Sequence, residues 1–401
     1  MNTKQVMRLG YLVPQFPGQT HIFFWREIAE LEKRGFDVHL LSTQPPPAGL
    51  IAHDWSLDAI ERTTYLASKN PLDMLRAMPS QPWRSFITQM RLEGKDVLRD
   101  IAICLPAATK LLKYARANKL DHIHVHSCAR AALIAAMARH MGGPSYSLTL
   151  HGPMSDYGLG QQLKWRGAKF STIITRKLEA EAKLELRDAM PYASYIRPMG
   201  VDTDVLKRIE PYAAPRANET LRIFSCARLN IVKGHQDAME AVKLLREQGI
   251  DVQLEIAGED DAGGSGYRQV LETRITELGL QDQVTLLGAI DADAVRQKLL
   301  DAHLFVLASW HEPLGVAYME AMSCGVPTIG TDAGGVSEMI TSGETAILVE
   351  PKNPAKLAQA IKDLSTAPEE LSRLSDAGRA HIKAHYRSAL GAETLIEAIN
   401  A

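Results

Sequence analysis

The sequence predicts an α/β protein made of two doubly wound domains, each a sheet with helices on its faces. Three observations predict it. The chain has 401 residues, enough for two ordinary domains and a sizeable core. Its opening reads strand–helix–strand: an apolar run from Arg8 to Pro14, an amphipathic stretch from Ile22 to Arg34 closed by Gly35, and a second apolar run from Asp37 to Ser42. A strand-to-helix pattern then begins afresh at Leu221, after a linker-like stretch broken by Pro211 and Pro215. The expected division is a first domain over 1–204, a linker over 205–219 and a second domain over 220–401.

Composition narrows the function classes. Hydrophobic residues make up 46% and charged residues 23%, ordinary globular values. A net charge of −2 points away from nucleic acid as a partner. Cys104, Cys128, Cys226 and Cys324 are scattered, which suits reduced, buried thiols and a cytoplasmic location. The N-terminal residues lack a signal-peptide core, and the longest apolar run, Ala131 to Ala138, is too short to span a bilayer.

In the first domain, the loop from Pro14 to His21 holds a single glycine, Gly18. A dinucleotide fingerprint is therefore absent, which disfavours an NAD enzyme, but Gly18 permits close backbone approach to a ligand. Residues 45–120 are the least legible. Pro45-Pro46-Pro47 reads as a stiff loop. Between 71 and 119 stand nine Lys or Arg against four Asp or Glu, with Trp83, Phe86, Ile87 and Met90 at helical spacing. A solvated helix pair explains this, and so does a helix at a membrane surface. His122, His124 and His126 alternate along a strand, so they share a face, but with no fourth ligand zinc is disfavoured. A helix over 129–141 and a strand over 146–150 lead to His151-Gly152-Pro153 at a strand end. A strand over 172–175 and a helix over 177–188 follow.

In the second domain, Arg228 and Lys233 follow the strand Leu221–Cys226, and Gly234 opens a helix to Glu247. Two cations at such a turn suit a diphosphate, Arg as a fork and Lys as a point charge. The strand 252–257 ends in Gly258-Glu259-Asp260, and the strand 284–288 ends in Leu287-Gly288, positions where a nucleotide would lie. Most informative is 304–335: a strand over 304–309, a loop through Trp310, His311, Glu312 and Pro313, a helix over 315–324, and a new strand from 327 or 328 to 331. The amides of Leu314, Gly315 and Val316 form a helix N-terminus suited to phosphate. Glu320, one turn along in an apolar stretch, can accept from the vicinal hydroxyls of a ribose, and Glu312 from a second sugar. Phosphate, ribose and hexose together describe a nucleotide sugar. A strand over 346–349 and a helical tail from Pro354 finish the chain.

Glu312 and Glu320 with seven residues between them, followed by Ala321-Met322, Gly325-Val326-Pro327 and Gly334-Gly335-Val336-Ser337-Glu338, resemble the donor-site signature of family-four retaining glycosyltransferases. Arg228 with Lys233-Gly234 resembles that family's diphosphate pair, Thr149-Leu150-His151-Gly152 its N-terminal-domain histidine, and 196–203 the close of its first domain. The resemblance implies the GT-B fold: two Rossmann-like domains facing a cleft, with the last helix crossing back to the first. It implies transfer of a hexosyl unit, with retention, from a nucleotide sugar (UDP-hexose is the expectation) to a saccharide or lipid-linked saccharide. Bacterial surface polysaccharide synthesis is the implied setting, in the cytoplasm or at the inner face of the membrane. Catalytic roles fall to Arg228, Lys233, Glu312 and His151. Donor contacts fall to Glu320, Gly18, Leu314, Gly315, Val316, Gly258, Leu287 and Gly288.

A GDP-mannose-dependent mannosyltransferase of the same fold, and a nucleotide-sugar epimerase or hydrolase of similar architecture, stay open. A non-catalytic nucleotide-sugar binder is disfavoured by the presence of both glutamates and both cations. No cofactor and no metal are expected. Asp291-Ala292-Asp293 has a cation-holding spacing, but it opens a helix, where Asp serves as a cap. Asp260-Asp261 is followed by Gly263-Gly264-Ser265-Gly266, a composition unsuited to a rigid cation cage.

Overall fold

The structure, a computed structural model, describes residues 6–18, 21–46, 55–68, 70–260 and 266–401. Gln19, Thr20, Pro47, Asp261 and Gly263–Ser265, which figure in the expectations above, lie outside the described residues. The chain forms two units: 1–198 together with 389–401, and 199–388.

The sheet of the first unit contains β1 (Arg8–Gln15), β2 (Asp37–Gln44), β3 (Thr64–Tyr65), β4 (His122–Val125), β5 (Ser145–Leu150), β6 (Phe170–Ile173) and β7 (Ala193–Ile196). Their order is β3-β2-β1-β4-β5-β6-β7, with every pairing parallel. The order reverses between β1 and β4. Open α/β sheets bind ligands beyond the strand ends at such a switch point. Gly18 lies in the loop after β1, His126 just after β4 and His151 just after β5.

The sheet of the second unit contains β8 (Leu221–Cys226), β9 (Val252–Ala257), β10 (Val284–Gly288), β11 (Leu304–Val306), β12 (Thr328–Thr331) and β13 (Ile347–Val349). It is parallel throughout, in the order β10-β9-β8-β11-β12-β13, and its switch point lies between β8 and β11. Apolar residues of β8, β9 and β11 meet the inner faces of helices His235–Glu247 and Pro354–Ser365 in one core, which includes Ile223, Leu254, Val306, Val242 and Ile361.

Several elements depart from expectation. The division falls at Pro198/Met199, before the expected linker, and 205–212 is fastened to the second unit. Ser323 Oγ donates to the Leu206 carbonyl at 2.6 Å, Arg208 donates to the carbonyls of Leu300 and Cys324, and the Tyr212 hydroxyl donates to the His303 carbonyl. The terminal helix Ala389–Asn400 does not depart from expectation: it is grouped with the first unit, the placement that the resemblance implies. Only His122 and His124 of the alternating histidines lie within β4. Each bonds hydroxyls of β5: His122 those of Ser145 and Ser147, His124 those of Ser147 and Thr149, all at 2.7 Å. Residues 96–117 form one helix, Asp96–Ala117, with Pro106 inside it. In helix Trp83–Glu93, Phe86 is a core residue and Ile87 is exposed.

Candidate functional site

Arg228 and Lys233 follow β8, and Glu312 follows β11, so the loops of the two strands flanking the switch point carry the charged groups. After β8 the chain makes a short 3₁₀ turn, Ile231–Lys233, capped by Asn230, before helix His235–Glu247. Gly234 joins the two at φ 67°, and a Cβ there would overlap the Ala308 carbonyl, so only glycine lets this loop lie against β11's continuation. Trp310 N donates to the Val232 carbonyl at 2.7 Å and ties the two loops together.

That approach brings Lys233 Nζ to 2.6 Å from Glu312 Oε2, with the side chains 15% and 10% exposed. The sequence reading assigned Lys233 to a diphosphate and Glu312 to a sugar. The structure pairs them with each other, because two opposite charges this far out of water must find partners. The Glu312 backbone is fixed as well. Its carbonyl accepts from Gly335 N at 3.0 Å, and a Cβ on Gly334 would strike that carbonyl. Arg228 is exposed on the same turn, and its carbonyl accepts from His235 Nε2 at 3.2 Å in one tautomer of that ring.

Helix Val316–Ser323 starts behind Gly315, whose φ of 95° bends the chain into it. Its first internal bonds run from Tyr318 N and Met319 N to the Gly315 carbonyl, so the amides of Val316 and Ala317 precede the ladder. Leu314 is buried and sits ahead of the cap. Tyr318 anchors the helix: its ring is buried against Phe305 and its hydroxyl donates to the Leu307 carbonyl at 2.7 Å. Glu320, half-buried, lies near Cys226 and Cys324. Burial, and after it the Glu320 charge, pushes both thiols up to about 12.

The remaining donor positions cluster at the neighbouring strand ends. Gly258 N donates to the Gly288 carbonyl at 2.9 Å. Leu287 is bulged out of the β9–β10 ladder, between the paired Leu286 and Gly288. Arg268 spans this edge, donating to Glu259 at 3.0 Å and to the Leu286 carbonyl, while its own amide donates to Asp260 Oδ1 at 3.1 Å. Asp291 caps helix Ala292–Asp301 by accepting from Ala294 N at 2.8 Å, as its place in the sequence suggests. Among the described residues no group of three or more His, Cys, Asp or Glu has the geometry to hold a metal.

Gly18 and His151 stand in the first unit. His151 Nε2 is 3.3 Å from His126 Nδ1, and burial, aided by the neighbouring histidines, drives the His151 pKa well below its ordinary value. Gly18 supports His21, whose amide donates to the Gly18 carbonyl and whose ring would meet any Cβ placed there.

Residues 209–381, which lie within the second unit, match the family model described as glycosyl transferases group 1. N-acetyl-alpha-D-glucosaminyl L-malate synthase of Bacillus anthracis is 29% identical over 71% of this chain and 75% of its own length. The MMP alpha-(1->4)-mannosyltransferase of Mycolicibacterium hassiacum is 27% identical over 88% of this chain and 87% of its own. The crystal structure of Anabaena HepE in complex with UDP superposes with a TM-score of 0.76 at 18% identity, covering 98% of this chain and all of that one. The match to group 1 glycosyltransferases is thus carried by residues 209–381, within the second unit. The fold is GT-B, two Rossmann-like α/β domains.

Some of the buried polar groups near these positions escaped the sequence reading. Glu27 and Tyr11, which stand behind His126, were not singled out, although Glu27 occupies the apolar face of helix Ile22–Lys33 between Phe24 and Leu31. An acidic residue on a buried helix face was the available signal. Asp237, which accepts from Trp310 Nε1 at 2.6 Å, gave no comparable signal.

Proposed function

We propose that this glycosyltransferase moves a hexosyl unit from UDP-hexose to a saccharide or lipid-linked saccharide acceptor, with retention and without a divalent metal, in surface polysaccharide synthesis. The observation that carries the reading is the charged cluster at the β8/β11 switch point, where Lys233 and Glu312 meet beside the helix that carries Glu320. In this reading Glu320 accepts from the ribose hydroxyls and Glu312 from the hexose. Gly258 and the bulge at Leu287-Gly288 border the base. The anomeric C–O bond breaks, the acceptor oxygen bonds to that carbon, and the acceptor's proton passes to an oxygen of the leaving phosphate. Arg228, Lys233 and the amides at Gly315 and Val316 stabilise the charge that develops on the diphosphate, usually the largest catalytic contribution.

HepE, which shares the fold, was crystallised with UDP and with UDP-glucose, and this makes UDP-glucose the first donor to test. The experiment is a thermal-shift screen of UDP-glucose, GDP-mannose and ADP-glucose, followed by product analysis with saccharide acceptors. A donor at one hundred times its Kd stabilises by about 2.7 kcal/mol. UDP-glucose is expected to shift the transition, with UDP released only when acceptor is present. A shift confined to GDP-mannose would replace the donor with the mannosyl alternative. Rapid UDP release without acceptor would replace transfer with hydrolysis.

A further inference from the structure

Arg268 joins three segments at the end of β10. It lies in the first turn of helix Tyr267–Leu278, and all three guanidinium nitrogens are engaged. Nε donates to Glu272 at 2.9 Å, one terminal nitrogen to Glu259 Oε2 at 3.0 Å, and the other to the Leu286 carbonyl at 3.3 Å. β10 is an edge strand, so carbonyls on its outer side have no ladder partner, and the Leu286 carbonyl takes this donor instead. Glu259 is held from the other side as well, its Oε1 accepting from Asp260 N at 3.2 Å. The ion pair lies against Gly288: a Cβ there would stand 3.5 Å from Glu259 Oε2 and 3.6 Å from the guanidinium.

Leu287 sits between these fixed points. The β9–β10 ladder begins regularly, with Leu254 N donating to the Gln283 carbonyl at 2.8 Å. Four residues further along each strand, Gly258 N should therefore meet the Leu287 carbonyl. It donates to the Gly288 carbonyl instead, at 2.9 Å, because the bulge shifts the register by one. The Leu287 carbonyl is thus released from the ladder, while the carbonyl before it is held by Arg268 and the one after it by Gly258. A main-chain carbonyl only accepts, so its match is a ring N–H. Uracil carries such a proton at N3; cytosine does not. Guanine carries one at N1, so this contact separates uracil from cytosine and adenine rather than from guanine.

We infer that Arg268 is a positioning residue for the donor's base: by holding Leu286 and Glu259 it fixes the released Leu287 carbonyl, and so makes the site prefer a uridine nucleotide to a cytidine one. The inference rests on the donor reading proposed above. Arg268 is the residue to alter rather than Glu259. The Glu259 carbonyl accepts from Leu229 N at 3.0 Å, beside Arg228, so a change there would reach the diphosphate loop too. The Arg268 side chain bonds only Glu259, Glu272 and Leu286 among the described residues.

The test is calorimetry on the full chain, unaltered and as Arg268→Met, with UDP and CDP. The two ligands share ribose and diphosphate and differ only in the base. The ion pairs of Arg268 are well exposed and contribute little to folding, so the variant should unfold at nearly the same urea concentration. The unaltered protein is expected to bind UDP more tightly than CDP. In Arg268→Met the affinity for UDP should fall roughly tenfold, the scale of one hydrogen bond, with CDP nearly unchanged, so that the preference collapses. Arg268→Lys keeps a charge for Glu259 but lacks the fork that also reaches Leu286, and it should recover only part of the preference. A preference for UDP that survives in Arg268→Met, whether both affinities fall together or neither falls, would overturn the inference. Equal binding of UDP and CDP by the unaltered protein would do the same. Failure of the unaltered protein to bind UDP at all would overturn the donor reading, and this role with it.

Discussion

Lys233 and Glu312 answer each other's charge in a setting that neither side chain would tolerate alone, and this alters what their substitution should do. Removing one partner of a poorly hydrated pair strands the other charge, at a cost of about 3 kcal/mol. Lys233→Met and Glu312→Gln should each lower stability, and the double variant should be less destabilised than the sum of the two. A double-mutant cycle by urea denaturation measures this coupling, and additive effects would show that the 2.6 Å contact contributes nothing to the fold. On the proposed donor reading, ligand binding should separate the two glutamates. Glu320→Ala should weaken free UDP, while Glu312→Ala should spare UDP and impair UDP-glucose. Calorimetry with both ligands decides the matter; equal losses for both variants would refute the division of roles. The two charged partners were legible separately, because each sits at a predictable strand end. Their pairing was not, since it depends on how closely Gly234 and Gly334 let two distant loops approach.

Among elements, the strand–loop–helix unit at 304–331 was readable because its signals are local: an apolar run, a break, a helix and Gly325-Val326-Pro327. Two-residue β3 and the helix Asp96–Ala117, with proline at its middle, carry no such local signature and take their form from packing on β2 and on helix Arg130–His140. The basic stretch 71–119 gains meaning from its exposed residues. Arg76, Arg84, Arg91, Lys95 and Arg99 are exposed, as are Leu72, Leu75, Ile87 and Leu92. Three of the four acidic residues are engaged: Asp73 with Lys113, Glu93 with Gly160 N, and Asp100 with Arg130. No helix among the described residues is long and apolar enough to cross a membrane. A surface of this character should bind anionic vesicles weakly, at about 1 kcal/mol for each basic residue near the lipid, and release them as salt rises. Co-sedimentation of the intact protein and of an Arg84→Glu/Arg91→Glu variant tests this, and equal binding by both would remove the assignment. The capping of helix Ala292–Asp301 by Asp291, and the engagement of Asp260 by Arg268, give those aspartates structural work. Transfer is therefore expected to persist in excess EDTA after dialysis, and activity restored only by magnesium or manganese would contradict a diphosphate site built from Arg228, Lys233 and helix amides.

At the scale of the molecule, the chain returns to its first unit for its last thirteen residues, and the stability of that unit should depend on them. Helix Ala389–Asn400 buries Leu395, Ala398 and Ile399. It is also pinned by polar contacts: Arg34 to Glu393 at 2.9 Å, Arg197 Nε to Thr394 at 2.8 Å, and Lys169 Nζ to the Ile399 carbonyl at 2.7 Å. Burying Leu395 and Ile399 contributes about 1.5–3 kcal/mol each, and their loss uncovers the apolar surface they meet. The exposed Arg34–Glu393 pair adds little beside this. Truncation after Ser388 should therefore lower the stability of the first unit by roughly 3–6 kcal/mol. The second unit has its own core of Ile223, Leu254, Val306 and Ile361, closed by helices that end before Ser388, and it should be left nearly unchanged. Urea unfolding followed by fluorescence separates the outcomes, because Trp25, Trp55, Trp83 and Trp165 report on the first unit and Trp310 on the second. Substituting the first four leaves Trp310 as the sole probe of the second unit. An early transition in the truncated chain, with the Trp310 transition in place, is the expected result. A shared shift of both transitions would mean that the units unfold as one and that the terminal helix stabilises the whole chain rather than the unit it rejoins.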